Sequence, residues 1–482
     1  MLRLTTLKHK LYAIIFASFI VRIIGFFFLP DEPTGALAPD EGGYAEISRL
    51  VTDGEPATSF GKLYVLSRTL VLPAVVLNNF GTEPLSSVRI IASIYGVLSL
   101  MLVAFIILKT VNKYQQFKEL TSKRNNIIIG LFGVYAFLPS HLLWSMLGLR
   151  ESPMEFWVLC ALASVHSAFY PQERLSLLTV ISLIISVIFL FNTRTQVAWV
   201  LGVTIFIILL SRFRSRVAML LIPITFIALG LGFVSVTIQK QNMFVLTAVD
   251  GSAVDGSAVD GSAVDGSAVD GSAVDGSAVD GSACKNSGEI IILQEIEYIC
   301  KKVGTKTDLS GLQNPGQLLV DQTEVVNDRH KVNQIGASSA IQTLSCPITE
   351  ESKLDKYLCM SWRAPYMAAT FLFRPIIGVD VTSRSSLFAA VENIAWLGAM
   401  GFIIFMLIKK RRLPFFKALA PSLIFFILYI VGAGSYEGNM GTAFRHKSLI
   451  LWVILLLLFA VLWEGSQKKT GSGGNELGEK AV

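Results

Sequence analysis

Apolar runs of about 20 residues recur along this chain, and each is long enough to cross the hydrocarbon core of a bilayer as a helix. Lipid offers no water to the backbone, so such a run must close its own N–H···O=C bonds as an α-helix. Ten runs can be placed, at residues 11–30, 86–108, 127–147, 153–170, 176–192, 196–211, 217–238, 385–408, 414–434 and 448–464. Composition agrees: 52% of the 482 residues are hydrophobic and 16% are charged, where soluble domains carry about a quarter charged residues. The expected fold class is an all-α polytopic membrane protein of about ten transmembrane helices. A small exterior subdomain, α/β or irregular, is expected between spans seven and eight.

Basic clusters orient the spans. Arg3, Lys8 and Lys10 precede the first run; Lys113, Lys118, Lys123 and Arg124 follow the second; Arg212, Arg214 and Arg216 follow the sixth; Lys409, Lys410, Arg411 and Arg412 follow the eighth; Lys468 and Lys469 follow the tenth. With ten spans all of them fall on one side, which the positive-inside rule makes cytoplasmic. The expectation is a multi-pass protein of the cytoplasmic (plasma) membrane with both termini inside. The net charge of +6 resides largely in these clusters, so it implies no nucleic-acid partner. Ala36-Leu37-Ala38 offers a small-residue cleavage pattern, but the first run is longer than a signal core and Pro39 would follow the cut. It reads as a retained anchor.

Two large segments then lie outside, 31–85 and about 239–384. The expected domains are an N-terminal transmembrane module 1–240 with an exterior acidic loop 31–85, a spacer 241–283, an exterior insert 284–384, a C-terminal transmembrane module 385–466 and a disordered cytoplasmic tail 467–482. The spacer holds seven tandem copies of AVDGS, residues 248–282. Nothing larger than Val recurs in it, so it cannot bury a core and reads as a flexible acidic linker. A pentapeptide β-helix would need Leu or Phe at the unit centre, and a bare Asp-Gly-Ser lacks the further ligands of a calcium loop. The insert carries Cys284, Cys300, Cys346 and Cys359, while Cys160 lies in a span. Exterior cysteines imply disulfides. Three connectivities are open, with 284–300 and 346–359 closing the shortest loops; no CxxC spacing favours zinc.

Ionisable residues near the exterior ends of the spans form the candidate site. They are Asp40 and Glu41 in "LAPDEGGYAEISR", Arg89 opening the second span, Arg150 and Glu151 between the third and fourth, Arg194 between the fifth and sixth, Glu392 within the eighth, and Glu437, Arg445, His446 and Lys447 between the ninth and tenth. Charges beside spans are costly and often line functional cavities. A lone Arg such as Arg89 can equally snorkel to headgroups, and acids such as Asp40 and Glu41 suit a helix N-terminus through its dipole. Acids on one segment with cations on several others suit a reaction between a hydroxyl and a phosphate-bearing lipid. A carboxylate accepts the hydroxyl proton and arginines hold the departing phosphate.

The layout resembles the GT-C superfamily of polyprenyl-phosphate-sugar glycosyltransferases, in its protein O-mannosyltransferase and lipid A aminoarabinose transferase branch. The resemblance rests on a cytoplasmic N-terminus, on Asp40-Glu41-Gly42-Gly43-Tyr44 as an Asp-Glu-x-x-Tyr motif in the first exterior loop, and on "LRES" at 149–152. It covers about residues 11–240 and 385–464; the insert matches nothing in the family. It implies an inverting transfer of sugar from a polyprenyl-phosphate donor to an exterior glycan, lipid or protein acceptor. Asp40 would be the base, with Glu41 as neighbour or alternate. Arg445, His446 and Lys447 would hold the donor phosphate, with Arg150, Arg194 and Arg89 as further candidates. Tyr44, Glu151 and Glu392 complete the set. No cofactor is identified, and a divalent metal stays open. Three rivals remain at this level: an O-antigen-type polymerase or ligase using a polyprenyl-diphosphate oligosaccharide, a transporter or flippase, and a non-catalytic membrane scaffold.

Overall fold

The computed structural model describes residues 2–32, 39–54, 61–115, 122–168, 176–211, 365–377, 379–381, 384–409, 414–436 and 440–465, with Thr225 and Trp362. Every regular element among them is a helix. These are α1 (Leu2–Phe26), α2 (Pro39–Thr52), α3 (Gly61–Asn79), α4 (Pro84–Gln115), α5 (Ser122–Ala136), α6 (Pro139–Met146), α7 (Glu151–Ala168), α8 (Leu177–Phe191), α9 (Thr195–Ser211), α10 (Arg384–Lys409), α11 (Pro414–Tyr436) and α12 (Met440–Gly465). The AVDGS repeat, the four insert cysteines, Glu437 and the run at 217–238 (Thr225 apart) lie outside the described residues.

Among the described residues four helices are long and apolar enough to cross a membrane: Thr5–Phe26, Pro84–Asn112, Leu387–Lys409 and Thr442–Leu462. A fifth candidate is the pair α5–α6, bent by 45° at its break. Leu177–Phe191, Thr195–Ser211 and Leu419–Gly434 are shorter apolar helices. The described residues are therefore all-helical and suited to a lipid bilayer. Its surface agrees, since Phe16, Ile24, Ile394, Ile404, Phe405 and Ile408 of α1 and α10 are exposed. α12 is the opposite case: 89% of its apolar window is buried, as a helix apolar all round requires.

Segment 31–85, expected as an exterior loop, contains two helices. α2 begins at the acidic pair, which sits in its first turn, where the helix dipole favours negative charge. It closes at Gly54 with φ +76°, a left-handed residue that suits glycine at a helix end. Arg49 bonds Glu46 and Asp53 on the exposed face of α2, while Tyr44 and Ile47 face the core. α3 is apolar but is interrupted by Arg68 and by Pro73 inside the helix, so it does not read as a span.

The chain forms two compact units: Met1–Ser252 with Val391–Tyr429 and Arg445–Val482, and Ala253–Ala390 with Ile430–Phe444. In the first, α4 packs against α1, α2, α3, α6 and α7, and α7 against α8. In the second, a helical stretch at 365–373 buries Met367 and Phe371. The far end of α11 crosses it so closely that a Cβ on Gly434 would lie 2.7 Å from the Met367 carbonyl oxygen. Backbone cannot yield there as a side chain can. Gly434→Ala should therefore cost about 1–3 kcal/mol, the usual scale of overpacking, and Gly434→Val more. Thermal unfolding of the protein in detergent checks this, and an unchanged midpoint for both variants would refute the close crossing.

Candidate functional site

The sequence spacing separates the acidic pair into two environments. Glu41 is fully buried and faces Arg89, itself 4% exposed. Arg89 Nε donates to Glu41 Oε1 at 2.7 Å and Nη2 to Oε2 at 3.1 Å. The Gly148 N–H also donates to Oε1, at 2.9 Å. Arg89 further donates to the carbonyls of Pro30 at 2.6 Å and Glu32 at 3.2 Å. One bidentate pair thus joins the end of α1, the start of α2, α4 and the turn after α6. Arg89 and Glu41 thus bond each other through both carboxylate oxygens.

Asp40 keeps 22% of its side chain exposed, and its Oδ2 lies 3.5 Å from Arg445 Nη1. Arg445 and His446 lie in the second turn of α12. His446 Nε2 is 3.8 Å from Glu151 Oε1 and lies against Arg194 Nη1. The His446 carbonyl accepts from the Tyr429 hydroxyl at 3.2 Å. Arg150 sits within electrostatic reach of Tyr44, Arg194, Glu151 and Asp40. The structure therefore brings together seven of the anticipated residues: Asp40, Tyr44, Arg150, Glu151, Arg194, Arg445 and His446.

Among the described residues three arginines share this cluster with two carboxylates. Burial opposes ionisation of Glu151, but the neighbouring cations, Arg445 foremost with His446, Arg150 and Arg194, together outweigh it and hold the carboxyl below its ordinary range. Burial likewise disfavours the charge on Arg150, yet Tyr44, Glu151 and Asp40 raise its basicity. Arg150 Nε and Glu151 Oε2 are buried without a hydrogen-bond partner among the described residues.

Two anticipated members lie elsewhere. Lys447 turns away from His446 and donates to Asn393 Oδ1 at 3.0 Å. Glu392 accepts from Ser140 Oγ at 2.6 Å, from the Ser140 N–H at 3.2 Å and from Trp396 Nε1 at 3.1 Å. The reason is helical phase: Lys447 follows His446 by about 100° on α12 and meets another neighbour.

A second polar group escaped the sequence reading. Tyr135 Oη bonds Glu155 Oε1, and His141 Nδ1 is 3.5 Å from Glu155 Oε2, with its ring stacked on Tyr135 at 4.6 Å. Arg22 donates through Nε to Ser145 Oγ at 2.9 Å and through Nη1 to Ser18. Arg22, His141 and Glu155 each stand as isolated ionisable residues in apolar runs, and that signal could have flagged them. Among the described residues no group of three or more His, Cys, Asp or Glu side chains could hold a metal ion.

Two outcomes test this geometry. Glu41→Ala leaves Arg89 buried and uncompensated, so it should destabilise the protein by about 3–5 kcal/mol, whereas Asp40→Ala should cost little; thermal unfolding separates them, and equal effects would refute the brace. Glu151 is held below its usual pKa, so its contribution to stability is present above the ordinary value of 4.5 and is lost as pH falls through the lowered one. The stability gap between wild type and Glu151→Gln should therefore close on acidification; a gap that widens contradicts the ion cluster.

No protein-family model, no curated protein and no solved structure matches this chain.

Proposed function

We propose that the chain is an inverting membrane glycosyltransferase of the GT-C type, which moves a sugar from a polyprenyl phosphate to an acceptor on the exterior side of the cytoplasmic membrane. The observation that carries this reading is the gathering of guanidinium groups at the site. Among the described residues Arg150, Arg194 and Arg445 meet beside Asp40 and Glu151 in a largely buried cluster. Such a cluster suits an anion such as a phosphate, which planar guanidinium groups bind through paired N–H donors.

Asp40 is the more exposed of the site's two carboxylates and is the base in this reading. It takes the proton of the acceptor hydroxyl as that oxygen attacks the anomeric carbon, and the bond from carbon to phosphate oxygen breaks on the opposite face. Arg445 contacts Asp40, so it stands between base and leaving group. With Arg150 and Arg194 it stabilises the negative charge that grows on the departing phosphate. Glu151 and His446 orient these guanidinium groups. Glu41 and Arg89 position the segment that bears Asp40. The ten-span topology with both termini cytoplasmic belongs to this reading, since it sets the cluster on the exterior side with the donor lipid.

Comparison of envelope glycans in cells with and without the chain tests the class; an unchanged profile would count against it. Asp40→Asn removes the proton acceptor at constant size and should lower turnover by about two to four orders of magnitude with donor binding retained. Arg445→Ala should weaken both binding and turnover, and Arg445→Lys should remain impaired because it loses the planar fork. Normal product from both Asp40→Asn and Arg445→Ala would exclude this site.

A further inference from the structure

The broken helix α5–α6 leaves backbone groups that a continuous helix would satisfy. Each helix end carries orphan N–H or C=O groups, and in an apolar bundle these need partners. At the end of α5, Ser18 Oγ on α1 donates to the Ala136 carbonyl at 3.0 Å. At the start of α6 the N-cap residue, Leu138, has no side chain that can accept a hydrogen bond. The acceptor comes instead from another helix: Glu392 on α10 takes the Ser140 N–H and the Ser140 hydroxyl. Trp396, one turn further along α10, donates to the same carboxylate and fixes its orientation. A carboxylate at this end also complements the positive end of the α6 dipole.

The other end of α6 leads directly into the candidate site. After Met146 the chain turns through Leu147, whose N–H is bonded to the Leu143 carbonyl. Gly148 then donates to Glu41, and Arg150 lies beside Tyr44 and Asp40. α6 is eight residues long, about 12 Å at 1.5 Å per residue, and it is held by a carboxylate at each end. We infer that Glu392 is a positioning residue: it caps α6 from α10 and so fixes the turn 147–150 that carries Gly148 and Arg150 into the site.

The structural part stands on geometry alone, and its consequence for anion binding rests on the function proposed above. The experiment reads the two separately, with the full-length chain in lipid nanodiscs. Hydrogen exchange of peptides covering 138–150 reports the cap, and titration with farnesyl phosphate reports the anion site. Glu392→Ala should speed exchange in 138–150 by about tenfold, the scale of one lost cap in an apolar setting, and leave α8 and α9 unchanged. It should also weaken farnesyl phosphate binding.

Adding Leu138→Ser to Glu392→Ala supplies a local N-cap that accepts the Ser140 N–H, and should restore both readouts. If Glu392→Ala does not fold, Glu392→Gln serves in its place; one acceptor oxygen remains, so a smaller change in the same direction is expected. Unchanged exchange in 138–150, or faster exchange that Leu138→Ser fails to restore, overturns the inference. If the wild-type chain does not bind farnesyl phosphate, the proposed function fails while the exchange results still decide the role of Glu392.

Discussion

Arg89 and Glu41 form the joint on which the rest of the first unit depends. A guanidinium and a carboxylate taken out of water are tolerated only when their hydrogen bonds are nearly all made. Here the pair uses both carboxylate oxygens, three guanidinium nitrogens, two backbone carbonyls and the Gly148 N–H. Such a joint admits little change of register. Gly148 shows how close it is: a Cβ there would lie 2.6 Å from Val88 Cγ2 and 3.4 Å from Glu41 Cγ. The next residue along from Glu41 towards the N-terminus is Asp40, so the placement of one acid sets the placement of the other.

The site built on that joint differs from it in composition. The Glu41–Arg89 pair is neutral and closed. The neighbouring cluster of Asp40, Arg150, Glu151, Arg194 and Arg445 gathers three guanidinium groups and keeps part of Asp40 exposed. Two layers of ionic structure thus lie side by side. One holds the scaffold still, and the other is the site for which we propose an anion.

Much of this was legible in the sequence, for definite reasons. Long apolar runs predict helices because lipid forces intrahelical hydrogen bonding, and α1, α4, α10 and α12 bear this out by length and composition. The first-turn position of Asp40 and Glu41 followed from the residue types that a helix N-terminus favours. The convergence of Arg150, Glu151, Arg194, Arg445 and His446 followed from collecting charges beside spans. What was not legible depends on rotation about helix axes and on tertiary partners. Lys447 parts from His446 by phase alone. Glu41 parts from Asp40 because Arg89 waits on α4. α3 was hidden by Pro73 and Arg68, which weaken its apolar pattern without breaking the helix. Arg22 and Glu155 stood out as charges in apolar runs, but their partners Ser145 and Tyr135 come from other helices.

The depth at which α12 is buried bears on how the protein comes to be made. Its residues Trp452, Val453, Ala460 and Val461 are fully enclosed by the bundle, yet it follows every other described helix in the chain and leaves the ribosome after them. Until it arrives, Asp40 and Glu151 lack Arg445, and Arg194 lacks His446. The earlier helices must pack around the place that α12 later fills. A chain stalled before α12 thus lacks one of the helices its bundle encloses most, the kind of intermediate that a chaperone would shelter and a protease would recognise.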